Sequence, residues 1–381
     1  MPAKFGFLST YPPTQCGLAT FNAALATHLN TGGASGVVRL LAGDSVSGGI
    51  ELDRGAPRVV HTWHTDNRGG WQAAANALNR FDVAIIQHEY GIYPGDAGDE
   101  VLPLLRALRI PSIIVLHTVL SNPDPLQRRV LERIGATADA LVTMTDTARQ
   151  RLSGGYEVDP RKISVIPHGA GSRAGAPRED HDRPHLLTWG LLGPGKGIEW
   201  AIRALALLGD LDPKPLYTVA GRTHPKVLEQ FGDVYRDSLE QLAASLGVSD
   251  QVRWADAYFE EDELTRLIRS ADVVVLPYDS TEQVTSGVLI EAVGAEVPVV
   301  ATEFPHAVEL LADGPGLLVP HQDPEAMAAA VRRVLAEPRM PITGLAGGPT
   351  LRWPAVAARY QALASRLLAA RAPLAASAVP A

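Results

Sequence analysis

Two runs in this chain, ADVVVLP (271–277) and VPVVAT (297–302), are apolar on consecutive rather than alternate residues. A strand with one face in water alternates polar and apolar side chains, whereas one that is apolar throughout is buried on both faces, as in a parallel sheet covered by helices. Ten further runs read the same way: KFGFLS (4–9), VVRLLA (37–42), DVAIIQ (82–87), SIIVLH (112–117), ALVTMT (140–145) and ISVIP (163–167) early in the chain, then HLLTWG (185–190), LYTVAG (216–221), QVRWAD (251–256) and GLLVP (316–320). Helical stretches such as Leu18 to Leu29 and Leu126 to Ile134 alternate with them. That rhythm predicts an α/β protein with two doubly wound, Rossmann-like domains. Between the halves lies GAGSRAGAPREDHDRP (169–184), polar and rich in Gly, Pro and charge, which reads as a linker.

Composition narrows the function. With 381 residues, 46% hydrophobic and 20% charged, the chain can fill two cores. A net charge of -8 argues against nucleic acid. No run reaches the ~18 apolar residues of a membrane span, and the amino terminus has no signal-peptide pattern, so a cytoplasmic protein without stable membrane insertion is expected. The single cysteine, Cys16, has no disulfide partner and no Cys/His cluster has zinc spacing, so no metal and no resident cofactor are expected.

Ligands of open α/β sheets sit at the carboxyl ends of the strands. Polar residues collect there in both halves: Ser9-Thr10-Tyr11 before Gln15-Cys16-Gly17, then Gln87-His88-Glu89-Tyr90, His117-Thr118 and His168-Gly169, and, in the second half, Gly190 to Gly197, Gly221 to His224, and YDSTEQ. A cleft between the domains is the economical explanation. The segment QVTSGVLIE (283–291) opens a helix between the two strands named first. Thr285, Ser286 and Gly287 are expected in its first turn, where unpaired N–H groups favour a diphosphate. Glu291 is expected near the face of Gln283, eight residues earlier, placed to accept ribose hydroxyls. An ordinary helix cap and a solvated glutamate explain this segment about equally well. Lys196, after Pro-Gly, suits a phosphate, and the glycines at 190, 193, 195 and 197 suit close backbone approach. His117 ends a buried strand, and a core histidine is as good a reading there as a ligand.

Taken together, TQCGLATF, VLHT, VIPHG, GLLGPGKG and QVTSGVLIE before PVVAT occur in an order that resembles the retaining glycosyltransferases of family 4 over nearly the whole chain. The resemblance implies a GT-B fold of two Rossmann-like domains facing across a cleft: residues 1–170 on the acceptor side, a linker at 171–184, a donor domain at 185–350, and a helix 351–371 returning to the first domain. It implies transfer of a hexose, with retention, from a nucleotide diphosphate sugar of the GDP-mannose or UDP-glucose type to a glycan or small-molecule acceptor. His117, Lys196 and Glu291 would be catalytic. Gly17, Gly190, Arg222, Tyr258, Gln283, Thr285, Ser286 and Gly287 would join Lys196 and Glu291 around the donor. Apart from the resemblance, His88, Glu89 and Tyr90 read as candidates for the acceptor side, with Tyr93 and the His61/Trp63/His64 cluster near them, and rim packing explains the Trp and Tyr equally well.

Two positions depart from the family pattern. The first glutamate of its Glu-x7-Glu motif is Gln283, and an expected arginine is Leu191, for which Arg222 is the substitute. These departures keep two other readings open: a nucleotide-sugar binding protein without turnover, and an epimerase or phosphorylase on the same fold.

Overall fold

The computed structural model describes residues 3–42, 55–171, 181–312, 314, 316–337 and 349–371. It divides into two compact units, Met1–Pro167 with Trp353–Ala381, and His168–Arg352. Most of the expected linker, residues 172–180, and the tail 372–381, expected to fray, lie outside the described residues.

The first unit is built on a parallel sheet of seven strands: β1 (Phe5–Ser9), β2 (Gly36–Leu41), β3 (Arg58–His64), β4 (Val83–His88), β5 (Ser112–Leu116), β6 (Ala140–Thr143) and β7 (Ile163–Val165). Their order is β3-β2-β1-β4-β5-β6-β7. The chain therefore winds outward from β1 to one edge, then returns to build the other half from β4, which makes β1/β4 the switch point. Six of these strands overlap the apolar runs of the sequence. The seventh, β3, has no such run. It is an edge strand, RVVHTWH, with exposed and half-buried residues along most of its length, so burial on both faces leaves no trace in it.

Phe5, Phe7, Phe21, Leu25, Ile85 and Ile113 pack in this unit with Trp353, Val356, Tyr360 and Leu363 of the last helix, Trp353–Arg371. Trp353 meets the edge of Phe21 at 5.2 Å, and Arg371 Nη2 donates to Asp139 Oδ1 at 2.7 Å.

The second unit has a parallel sheet of six: β8 (His185–Trp189), β9 (Leu216–Ala220), β10 (Val252–Ala255), β11 (Val273–Leu276), β12 (Val299–Thr302) and β13 (Gly316–Val319), ordered β10-β9-β8-β11-β12-β13. Its switch point is β8/β11. Apolar clusters cover both faces, one around Ile198, Ile202, Leu205 and Val331, the other around Ile268, Leu289, Ile290 and Leu311. That double covering is why these strands read as continuous apolar runs. The polar groups between them are satisfied in place: Tyr217 donates to Thr188 Oγ1 at 2.8 Å, and Thr188 to the Val275 carbonyl at 2.5 Å. No described helix is long and apolar enough to cross a membrane.

Candidate active site

At the β8/β11 switch point the two following loops leave the sheet side by side, and one backbone and one side-chain bond join them. Asp279 N donates to the Gly195 carbonyl at 3.0 Å, and Trp200 Nε1 to Asp279 Oδ1 at 3.0 Å. Tyr278, 1% exposed, is the hub. The ammonium of Lys196 stands 4.6 Å from the centre of its ring. Burial raises its phenol pKa; the Ser286 hydroxyl opposes this and the Glu291 charge adds to it. Lys196 thus packs on a ring whose phenol feels both Ser286 and Glu291.

Lys196 is half-buried, and its ammonium has no hydrogen bond or ion pair among the described residues, while its backbone N–H donates to the Gly193 carbonyl at 3.1 Å. Burial lowers its pKa. Glu291 is half-buried, and its Oε2 accepts from Trp189 Nε1 at 3.2 Å. Trp189 ends β8, so the indole reaches from one side of the switch point to the carboxylate on the other.

The helix after β11 runs Gly287–Gly294 and begins later than the sequence suggests. Ser286 is its N-cap, its hydroxyl accepting from Leu289 N at 3.2 Å. Gln283 is therefore outside the helix and shares no helical face with Glu291; its amide folds back to donate to the Thr285 carbonyl at 3.3 Å. Thr285 precedes the cap, and its hydroxyl is buried without a partner. The Ser286 N–H, expected to face an anion, instead donates to His306 Nδ1 at 2.8 Å. A Cβ on Gly287 would lie 3.0 Å from His168 Nε2.

The glycines are also needed for a different reason than expected. Gly197 has φ +63, and a Cβ there would stand 1.8 Å from the Pro277 carbonyl oxygen. Gly190, φ +121, backs against Gly221, whose Cβ would lie 1.9 Å from the Gly190 carbonyl oxygen. These are demands of the protein's own backbone. Only Gly195 of this loop, φ +86, has open space where a side chain would project. Arg222 and Tyr258 follow β9 and β10, one and two strands out from β8; Arg222 is exposed and Tyr258 half-buried.

In the first unit, Gly17 and Glu89 follow β1 and β4 at the switch point. Gly17 is exposed, starts the helix Gly17–Leu29, and a Cβ there meets nothing. Its cap is Cys16, whose sulfur accepts from Ala19 N at 3.4 Å. Glu89 takes a hydrogen bond from the Thr118 hydroxyl and one from Tyr90 N at 3.0 Å. His117 donates from Nε2 to Gln87 Oε1 at 2.9 Å, and its ring meets Phe21 edge-on at 4.9 Å.

His88 does not face an acceptor in this structure. It is the last residue of β4, 0% exposed, packed between Tyr90 and Tyr93 with centroids at 5.1 and 6.4 Å. Burial holds its pKa down at about 4. Tyr90, Tyr93 and Trp63 are likewise buried, and Trp63 packs on Tyr93 at 6.0 Å. Buried ring packing, edge-on for His88 on Tyr90, stacked for His88 on Tyr93 and tilted for Trp63 on Tyr93, accounts for these four residues.

The family model described as Glycosyl transferases group 1 matches residues 183–337, and that described as Glycosyltransferase Family 4 matches residues 69–170. A D-inositol 3-phosphate glycosyltransferase of Corynebacterium glutamicum (strain R) is 30% identical over 290 residues, 68% of each chain. The chain belongs to glycosyltransferase family 4. A second relative of this family 4 transferase, the D-inositol 3-phosphate glycosyltransferase of Frankia alni, is 28% identical over 311 residues, 72% of this chain and 73% of its own. A glycosyltransferase structure from Rickettsia africae ESF-5 matches with a TM-score of 0.74 at 15% identity, covering 96% of this chain and 99% of that one. Anabaena Alr3699/HepE in complex with UDP-glucose matches with a TM-score of 0.69 at 16% identity, over 96% and 95%. The fold is GT-B.

Three residues of the transferase's second unit escape sequence reading: Tyr278, Trp189 and His306. Trp189 ends a strand, Tyr278 lies just past one and His306 is at a helix start, all among residues that read as core or loop. The signal for Trp189 is an indole at a strand end directly before Gly190. His306 shows only as a histidine after Pro305, inside an otherwise apolar first turn.

Proposed function

We propose that this chain is a retaining hexosyltransferase that binds a nucleoside diphosphate sugar at the β8/β11 switch point of its second unit and passes the sugar to a hydroxyl of a glycan or small-molecule acceptor. The observation that carries the reading is the lone ammonium of Lys196 above Tyr278, a ring whose phenol feels both Ser286 and Glu291. A partly buried cation without a counter-charge is costly, and a diphosphate supplies the missing charge. Glu291, oriented by Trp189, is then left to accept the ribose hydroxyls.

In this reading the bond from the anomeric carbon to the diphosphate oxygen breaks, and the acceptor oxygen bonds to the same face of that carbon. Its proton passes to a diphosphate oxygen. Lys196, with Arg222 at the end of β9, offsets the charge developing on the leaving group, so no metal is assigned a role. The Anabaena structure with UDP-glucose supports a donor of this class. The names of the curated relatives favour a small phosphorylated polyol among possible acceptors.

The test is thermal stabilisation by UDP, GDP, UDP-glucose and GDP-mannose, with Lys196→Ala and Glu291→Ala alongside. A shift with one nucleotide, reduced in both variants, supports the donor site. No shift with any of the four removes it. Proton NMR of the product's anomeric centre then decides retention.

A further inference from the structure

His306 grips both ends of the segment that leads into the helix Gly287–Gly294. Its backbone N–H donates to the Gln283 carbonyl at 3.3 Å, and its ring Nδ1 accepts from the Ser286 N–H at 2.8 Å. An amide only donates, so Nδ1 carries the lone pair and the proton resides on Nε2. The residue is 4% exposed. His168 stands at the same helix start, its Nδ1 donating to the Gly169 carbonyl at 2.8 Å and its bare Nε2 directed at Gly287. Burial keeps both rings neutral, with pKa values held down at about 3 for His306 and about 4 for His168.

The arrangement answers a question raised by the late helix start. Residues 283–286 precede the helix, whose ladder takes in the Ser286 carbonyl through Ile290 N at 3.3 Å, and a cap N–H left without an acceptor in a buried place is expensive. His306 supplies that acceptor from the helix after β12, the neighbour of β11 in the sheet. Ser286 is then free to cap Leu289 with its hydroxyl, and Glu291, the fifth residue of the helix, is presented to Trp189.

We propose that His306 is a positioning residue of the donor site: it sets the Gln283–Ser286 segment before the nucleotide arrives, so that Ser286 and Glu291 need no ordering on binding. This rests on the donor-site reading above. The general advantage is that ordering costs are met in folding instead of being deducted from affinity.

Two substitutions separate this role from simple packing. His306→Asn places Oδ1, one bond beyond Cγ, close to where Nδ1 stands, and so keeps the acceptor. His306→Leu keeps apolar bulk and leaves the Ser286 N–H orphaned. Calorimetric titration with whichever of UDP, GDP, UDP-glucose and GDP-mannose binds the wild type is expected to show the Leu variant weakened about tenfold to a hundredfold. The Asn variant is expected to stay within a few-fold of wild type. Wild-type-like binding by both variants overturns the clamp, as does equal weakening of both, which would point to the ring's shape instead of its acceptor.

If the Leu variant fails to fold by circular dichroism, 15N-histidine spectra of the wild type decide, with the resonance assigned by its loss in His306→Asn. A bare Nδ1 at neutral pH supports the proposal, and a protonated one overturns it. A folded wild type that binds none of the four nucleotides sinks the donor reading and the clamp together. Wild-type binding that is lost in Lys196→Ala yet intact in both His306 variants sinks the clamp alone.

Discussion

Lys196 holds its ammonium 4.6 Å from the centre of the Tyr278 ring and has no carboxylate beside it among the described residues. Its pKa is lowered by burial, so the free protein carries the charge at a cost. A bound diphosphate reverses that cost. Lys196→Met is expected to weaken nucleotide binding by roughly 1.5–3 kcal/mol, the size of a hydrogen bond to a charged group. The sign of the pH effect follows. In the free protein the unfolded chain holds this proton more tightly, so stability rises as pH climbs through the folded pKa toward the ordinary lysine value. Nucleotide affinity falls over the same range, because the cation is lost. Titrations from neutral to alkaline pH should show that fall in wild type and not in the Met variant. A fall of equal steepness in both would remove Lys196 from the site.

Gly195 and Gly197 are two residues apart and should differ sharply in their tolerance of alanine. At Gly197 the methyl group would be 1.8 Å from the Pro277 oxygen, on a backbone at φ +63. Melting should fall by more than about 3 kcal/mol in stability, since left-handed strain alone accounts for about 1–2. At Gly195 the methyl group meets open space, so only the strain applies. Under the donor reading, Gly195→Ala loses affinity while remaining well folded. Equal melting temperatures for the two variants would contradict the geometry of the loop.

Trp189 and Glu291 give a third test. Trp189→Phe removes the N–H that reaches Glu291 Oε2 and keeps most of the ring in its 5% exposed pocket. The expected result is a rise in donor KM or Kd of several-fold, about 1 kcal/mol, at nearly unchanged melting temperature. Glu291→Gln, which alters the acceptor itself, should cost more. A Phe variant indistinguishable from wild type would show that the carboxylate is held by other contacts.

The sheets were legible because double-sided burial writes itself as unbroken apolar runs, and the strands of the second unit, such as Val273–Leu276 and Val299–Thr302, are sealed on both faces. The edge strand β3 was not legible, since Val60 is 45% exposed and its neighbours are only partly covered. The candidate site divides in the same way. Lys196 and Glu291 stand out from spacing and chemistry, and the structure places them after the two adjacent strands β8 and β11. His88 read as a candidate ligand from its neighbours in QHEYG, yet packing against two tyrosines takes it out of reach, and sequence alone does not say which way a strand-end side chain turns. The Ser286 N–H was assigned to an anion because its acceptor, His306, lies twenty residues away with no local signal. Glycines carry the same ambiguity: a turn that must pass a carbonyl and a turn that must pass a phosphate use the same residue.

Acid should expose the buried histidines. His88 and His168 have folded pKa values of about 4, and His306 about 3, against 6.5 for the free side chain. Each folded value is depressed, so the unfolded chain binds more protons once the pH drops below 6.5. The stability of the neutral forms is full above that value and is lost as pH falls toward the folded pKa. A shift from 6.5 to about 4 corresponds to on the order of 3 kcal/mol for His88. His88→Leu should therefore flatten the acid limb of a stability-versus-pH curve for the first unit, at some cost in packing at neutral pH. An unchanged slope would mean that His88 is not the group that charges on unfolding.

The last helix is the remaining dependence, and it is a physical one. Trp353, Val356, Tyr360 and Leu363 fill the core of the first unit although some two hundred residues separate them from Pro167, where the rest of that unit ends. Four buried side chains at about 1.5–3 kcal/mol each amount to as much as the ~5–15 kcal/mol that holds a typical domain together. A chain ended after Arg352 should therefore lose the first unit, while the second keeps its own two apolar clusters. Calorimetry would show one transition removed or moved below working temperature and one retained. The retained transition should still rise with the nucleotide that stabilises wild type, because Lys196, Tyr278, Ser286 and Glu291 all belong to the second unit. Retention of both transitions in the shortened chain would show that the first unit closes its core without Trp353 and Tyr360.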